Sequence, residues 1–122
     1  MLKRHISLIT ILYTIALTFV SLMQLKKLPE IGVSNGDKIF HFLSYAVLTF
    51  LWAKTFVFRF KLERRNAIIL SVVASIVFGI IIEVMQGTFT VTRQTDAMDV
   101  LANTLGVLTI AAFLLFKIRI TS

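Results

Sequence analysis

Four long apolar stretches constrain this chain more than any other feature of its sequence. Each is 19 or 20 residues long: Ile6–Leu25, Ile39–Phe58, Ala67–Met85 and Ala97–Phe116. A helix of that length spans a hydrocarbon core of about 30 Å. Backbone polar groups inside lipid need partners within their own segment, so such stretches adopt the helical form. The sequence therefore predicts an all-α membrane protein, a bundle of four transmembrane helices.

The composition supports this class and excludes several others. Hydrophobic residues make up 57% of the 122 residues, against about 45–50% in a typical soluble domain. The chain contains no cysteine, so disulfides, cysteine-bound zinc and thiol nucleophiles are excluded. The connections between the apolar stretches are too short to hold a second domain. We therefore expect residues 1–122 to form one domain.

The formal net charge of +7 fits the flanks of membrane spans better than a nucleic-acid surface, because no basic stripe with interleaved aromatics is present. With a cytoplasmic N-terminus, eight basic residues lie inside: Lys3, Arg4, Arg59, Lys61, Arg64, Arg65, Lys117 and Arg119. Four then lie outside: Lys26, Lys27, Lys38 and Arg93. The positive-inside rule predicts that both termini are cytoplasmic in a multi-pass protein of the plasma (inner) membrane.

The first apolar stretch has a second interpretation as a signal peptide, because Lys3 and Arg4 precede it. Residues Leu22–Leu25 offer no small-x-small cleavage site, and the stretch is longer than an ordinary signal-peptide core. We expect it to be retained as a helix.

Polar residues gather beside the apolar stretches at one predicted end of the helices. They are Asp37, Lys38, His41 and Tyr45 in the second helix, Glu83 and Gln86 in the third, Arg93 in the next connection, and Asp96, Asp99 and Asn103 in the fourth. Within each helix the spacings place them largely on one face. Because successive helices alternate in direction, we expect three helices to present these groups together in the outer leaflet. Ionisable residues in membrane spans are costly and often mark function.

Most of these residues also have an ordinary structural explanation. The aspartates would cap the helices that they precede or begin. His41, Tyr45 and Arg93 would suit the membrane interface, and Asn103 would join helices through hydrogen bonds. Glu83 is the hardest to explain in this way, because the positive-inside pattern needs no acid at the end of an apolar helix.

Three short segments form a linked pattern. Residues 37–45 read Asp-Lys-Ile-Phe-His-Phe-Leu-Ser-Tyr, which fits D-K-x-x-H-F-x-x-Y, and residues 83–86 fit E-x-x-Q. Arg93 with residues 99–106 fits R…D-V-L-A-N-T-x-G. In order and spacing, over about residues 37–107, the chain resembles the VanZ-like family of small bacterial membrane proteins.

The resemblance implies a helical protein of the cell envelope. The family's namesake is associated with resistance to the glycopeptide teicoplanin, without an agreed biochemical reaction. The resemblance also implies six motif residues: Asp37, His41, Glu83, Arg93, Asp99 and Asn103. Asp96 falls where the family pattern is more variable.

One hypothesis is an envelope-facing site that binds or acts on a lipid-linked or anionic ligand. Arg93 and Lys38 would hold a phosphate or carboxylate, and His41 with Asp37 or Glu83 would form an acid–base pair. Alternatively, a divalent cation would be held by oxygen-rich ligands drawn from Asp37, His41, Glu83 and Asp99. The sequence requires no cofactor and does not decide whether the protein is an enzyme.

Two other hypotheses use the same residues differently. In a structural protein, the polar groups would form a buried network that locks the helices, with function in partner binding. In a small four-helix transporter, they would line a transport path through the membrane. Transport sites usually lie near the bilayer midplane, however, whereas these residues are predicted to lie in the outer leaflet. The oligomeric state stays open.

Overall fold

The computed structural model describes the backbone of residues 2–27, 36–89 and 97–121, and within these the side chains of residues 5–21, 39–85 and 100–117. Four helices occupy the described ranges: α1 (Leu2–Lys27), α2 (Gly36–Phe58), α3 (Arg64–Phe89) and α4 (Ala97–Thr121). Each helix contains one of the apolar stretches. The predicted all-helical class is confirmed for the part of the chain that the structure describes.

Three of the helices are long and apolar enough to cross a membrane, over Ile39–Phe58, Arg64–Met85 and Val100–Lys117. The described apolar part of α1, His5–Ser21, is shorter. Large apolar side chains on the helices face outwards, and Phe113, for example, is 56% exposed. An apolar surface this extensive suits lipid rather than water. The membrane character is thus confirmed, while the fourth crossing stays a prediction.

Helix α2 lies centrally and packs against α1, α3 and α4. Towards its start, Tyr45 and Leu48 pack with Leu17 of α1 and Val107 of α4. Towards its end, a second core cluster forms from residues of the three long apolar helices: Ala53, Ile68, Ala111 and Leu114. Early residues of α2 therefore meet early residues of α4 and late residues of α3. Helices α2 and α4 run in parallel, and α3 runs antiparallel to both.

Small hydroxyl side chains fill much of the space between the helices. Thr49 donates to the Tyr45 carbonyl at 2.8 Å, and Thr55 donates to the Leu51 carbonyl at 2.9 Å. A hydroxyl bonded to its own helix in this way loses little when it is buried away from water. Small residues at these positions let the helices approach closely, as is typical of membrane proteins.

Helix α1 is attached to α2 through polar side chains. Four hydrogen bonds join them among the described residues. Thr10 Oγ1 bonds with Thr55 Oγ1 (2.7 Å) and with the Leu51 carbonyl (3.3 Å), Tyr13 Oη donates to the Ser44 carbonyl (2.8 Å), and Trp52 Nε1 donates to Thr14 Oγ1 (3.1 Å). The sequence holds no acidic or basic residue from Ile6 to Leu25, so this attachment uses hydroxyl and indole groups rather than ion pairs. The hydroxyls recur every three or four residues, which is the sequence signal for this helix contact.

A short connection joins α2 to α3. Lys61 adopts a left-handed φ of 61°, and the Leu62 amide donates to the Phe56 carbonyl at 3.0 Å. The Glu63 carbonyl then accepts from the Ala67 amide at 2.8 Å and so begins α3. This tight reversal places the end of α2 beside the start of α3.

Candidate functional site

Four of the predicted polar residues are buried where α2, α3 and α4 meet. His41, Tyr45, Glu83 and Asn103 are 4%, 1%, 2% and 3% exposed, respectively. We call this region, defined by these four residues, the polar end. The full burial of a carboxylate and an imidazole argues against simple interface anchors, which would keep their polar atoms in water.

Gly79 of α3 brings Tyr45 and Asn103 together. A Cβ atom at Gly79 would lie 3.1 Å from Asn103 Nδ2 and 3.1 Å from Tyr45 Cε2. The Tyr45 ring and the Asn103 amide therefore both pack against the α3 backbone at Gly79. Phe78 completes the contact, with its ring centroid 6.0 Å from that of Tyr45. The sequence analysis did not single out Phe78, because one phenylalanine among eleven carries no signal of its own.

Gly106 of α4 packs against the backbone of α2. A Cβ atom at Gly106 would overlap the carbonyl oxygen of Phe42. Asn103 lies three residues before Gly106, and Tyr45 lies three residues after Phe42. Because α2 and α4 run in parallel, these two steps lead in opposite directions along the helices. The Tyr45 side chain points back towards the start of α2, which brings its ring to Asn103 at Gly79. Both glycines support close helix packing, as the small-residue rule predicts.

His41 and Glu83 lie one helical turn beyond the Tyr45–Gly79–Asn103 contact. His41 precedes Tyr45 by four residues and Glu83 follows Gly79 by four, so each continues the same face of its helix. Because α2 and α3 are antiparallel, both steps lead towards the same end. The His41 and Tyr45 rings are 6.4 Å apart between centroids, and the Glu83 carboxylate acts electrostatically on the Tyr45 hydroxyl.

Two buried oxygen atoms at the polar end have no hydrogen-bond partner among the residues that the structure describes. They are Tyr45 Oη and Asn103 Oδ1. Leaving such a group unsatisfied costs about 1–3 kcal/mol. Fully buried side chains that carry this cost are candidates to contact a bound polar group.

The other predicted site residues lie outside the described side chains. The backbones of Asp37, Lys38, Gln86 and Asp99 belong to helices α2, α3 and α4. Helical register places Asp37 one turn before His41 and Asp99 one turn before Asn103. Arg93 and Asp96 lie outside the described residues altogether. Their roles stay predictions.

The metal hypothesis is tested only in part by the described residues. Of its four proposed ligands, His41 and Glu83 have described side chains. Among the described side chains, no three histidine or acidic residues come together as a metal site. A cation held jointly with Asp37 and Asp99 stays a prediction.

Comparison with known proteins gives one positive result. A protein-family profile described as VanZ/LLP1 matches residues 3–119, a range that includes all three motif segments and nearly all of the four helices. No curated protein and no solved structure matches the chain significantly. The resemblance carried by the motif residues is thereby confirmed, and the chain belongs to the VanZ/LLP1 family.

Proposed function

We propose that the polar end binds a polar group of a cell-envelope or lipid-linked ligand. The observation that carries this proposal is a pair of buried oxygens, Tyr45 Oη and Asn103 Oδ1, which have no partner among the described side chains and lie beside the buried Glu83. An amide oxygen and a carboxylate accept hydrogen bonds, and a tyrosine hydroxyl both donates and accepts. This set of groups suits hydroxyl or amine hydrogens on the ligand. Lys38 and Arg93 would add a contact to its phosphate or carboxylate.

The proposed topology has four crossings, both termini in the cytoplasm and the polar end outside, in the plasma membrane. Basic residues support it, because Arg59, Lys61, Arg64 and Arg65 cluster around the α2–α3 connection, at the other end of these helices from Glu83. Cytoplasmic loops carry such an excess of lysine and arginine. The site would then open towards the envelope, where the family's association with teicoplanin resistance belongs.

Cysteine labelling tests this topology directly, since the chain contains no natural cysteine. We expect a membrane-impermeant maleimide to label the Ser34→Cys variant in intact cells. We expect the Glu63→Cys variant to be labelled only after the cells are permeabilised. Labelling of the two positions from the same side would contradict the crossing of α2, and the reverse pattern would invert the orientation.

Substitution of Tyr45 by phenylalanine tests the proposed ligand contact. Because Tyr45 Oη has no partner among the described residues, the Tyr45→Phe variant should keep its thermal stability in detergent or gain up to about 1 kcal/mol. It should nevertheless lose the envelope phenotype, measured as teicoplanin susceptibility of bacteria that express the variant, the wild type or no copy. Full activity of the variant would remove Tyr45 from the site.

The second candidate function is structural, and the close packing at Gly79 and Gly106 favours it. In that case Tyr45, Glu83 and Asn103 lock α2, α3 and α4 together, and the protein acts by binding a partner. Removing one member of a buried network leaves the others unpaired and is strongly destabilising. This alternative predicts that Tyr45→Phe loses activity only in proportion to its loss of folded protein.

A further inference from the structure

A cavity of about 330 Å³ lies at the opposite end of α2, α3 and α4 from the polar end. Its volume falls within the range of about 300–1,000 Å³ that small-molecule sites occupy. Five apolar residues line it: Ala53, Val57, Phe58, Ile68 and Leu114. Three cationic residues complete the lining: Lys54, Arg64 and Lys117. We call this cavity, with its three cations, the basic cavity.

Each of the three helices contributes one cation to the basic cavity. The positive charges of Lys117 and Arg64 act on the Lys54 ammonium, so the three charges share one region. No carboxylate is among the described residues that line the cavity. Glu63, the nearest acid along the chain, lies one residue before Arg64 and accepts a long hydrogen bond from Asn66 Nδ2 at 3.5 Å. The described surroundings of the cavity are therefore strongly positive.

Two of the cations, Arg64 and Lys117, lie nearer the end of the helices than the apolar residues that follow or precede them in the lining. Arg64 begins α3, and Lys117 lies in the last turns of α4. Ile68 lies four residues and Leu114 three residues further into these helices, or about 4.5–6 Å deeper. A polar rim above an apolar interior matches a molecule with a charged head and an apolar tail.

Two aromatic rings contact the third cation, Lys54. The Lys54 ammonium lies 5.5 Å from the centroid of the Phe50 ring and 5.8 Å from that of Phe58. Cation–π contacts of this length stabilise an ammonium group that is partly removed from water. They keep the Lys54 charge at the cavity, one helical turn before the end of α2.

We propose that the basic cavity binds one anionic phospholipid. Its phosphate would lie against Lys54, Arg64 and Lys117, and the start of an acyl chain would lie along Ile68 and Leu114. A free phosphate would leave the apolar walls without a partner, and a zwitterionic lipid would bring its own cation towards three others. Basic pockets between transmembrane helices are a known mode of anionic headgroup recognition. The inference depends neither on the ligand of the polar end nor on the orientation of the chain.

Lipid retention tests the proposal. The full chain is reconstituted in nanodiscs of equal phosphatidylglycerol and phosphatidylcholine and released into detergent, and the lipids that it retains are measured by native mass spectrometry. We expect the wild type to retain phosphatidylglycerol preferentially. Each cation near a membrane surface favours anionic lipid by roughly fivefold. The preference should therefore fall more than tenfold in the Lys54→Gln, Arg64→Gln, Lys117→Gln triple variant.

Two matched variants separate a site from general attraction. The Arg59→Gln, Lys61→Gln, Arg65→Gln variant removes the same charge from the α2–α3 connection and should keep the preference within about twofold. The Val57→Phe variant keeps every charge but fills the cavity, and should lose retention while it elutes as a single species in size-exclusion chromatography. Equal losses in the two triple variants, unchanged retention in Val57→Phe, or displacement of the lipid by inorganic phosphate would each overturn the proposal.

Discussion

The Gly106→Ala variant is expected to lose about 2–3 kcal/mol of stability, in the upper part of the range of about 1–3 kcal/mol that overpacked interiors lose. The added methyl group would overlap the carbonyl oxygen of Phe42. A backbone carbonyl inside a helix has no rotamer with which to move aside, so α4 must shift away from α2. The gain of about 1 kcal/mol in helix propensity from glycine to alanine offsets only part of this loss. Thermal unfolding in detergent micelles measures the difference.

Gly79→Ala is the matched control, because it makes the same substitution in a neighbouring helix. Its methyl group would lie 3.1 Å from Asn103 Nδ2 and Tyr45 Cε2, which are side-chain atoms that can give way by a few tenths of an ångström. We expect its stability to stay within about 1 kcal/mol of the wild type, since crowding and helix propensity act in opposite directions. Equal stability of the two variants would contradict the close contact between α2 and α4.

The Glu83→Gln variant is expected to abolish the envelope phenotype and to leave the fold intact. Glu83 is 2% exposed, and glutamine has nearly its shape. Glutamine keeps the volume of the side chain and one of its accepting oxygens, so packing is preserved and the melting temperature should stay close to that of the wild type. The substitution also replaces one accepting oxygen with a donor, which changes what the site binds. Teicoplanin susceptibility and the amount of protein in the membrane are measured together.

Glu63→Gln is the control for Glu83→Gln. Glu63 is exposed in the connection between α2 and α3, so the same chemical change there should alter neither readout. If Glu83→Gln keeps full activity at wild-type protein levels, the carboxylate is not part of a ligand site. If its activity falls only as the folded protein disappears, the structural function is favoured. If the wild type itself leaves teicoplanin susceptibility unchanged, the family's resistance association does not extend to this chain.

Residue spacing predicts some contacts of the candidate site, and the structure supplies the others. The four-residue step from His41 to Tyr45 gives their shared face, and the antiparallel order of α2 and α3 gives the common level of His41 and Glu83. Spacing carries no information on which faces turn inwards. It therefore did not show that the Tyr45 ring and the Asn103 amide meet on Gly79. The contributions of Asp37, Arg93 and Asp99, and the extent of the single domain, stay predictions.

The sequence by itself determined the helical class, the membrane character and the family. Long apolar runs allow only helices in lipid, and the motif residues are read directly from their order. Only the tertiary structure decided how the helices fit together: the contact of Gly106 with Phe42, the hydroxyls that hold α1 against α2, and the basic cavity of Lys54, Arg64 and Lys117. These features depend on which residues of different helices lie opposite one another. The long apolar runs determine which segments become helices, whereas side-chain packing determines how each helix is rotated and how deep it lies relative to its neighbours.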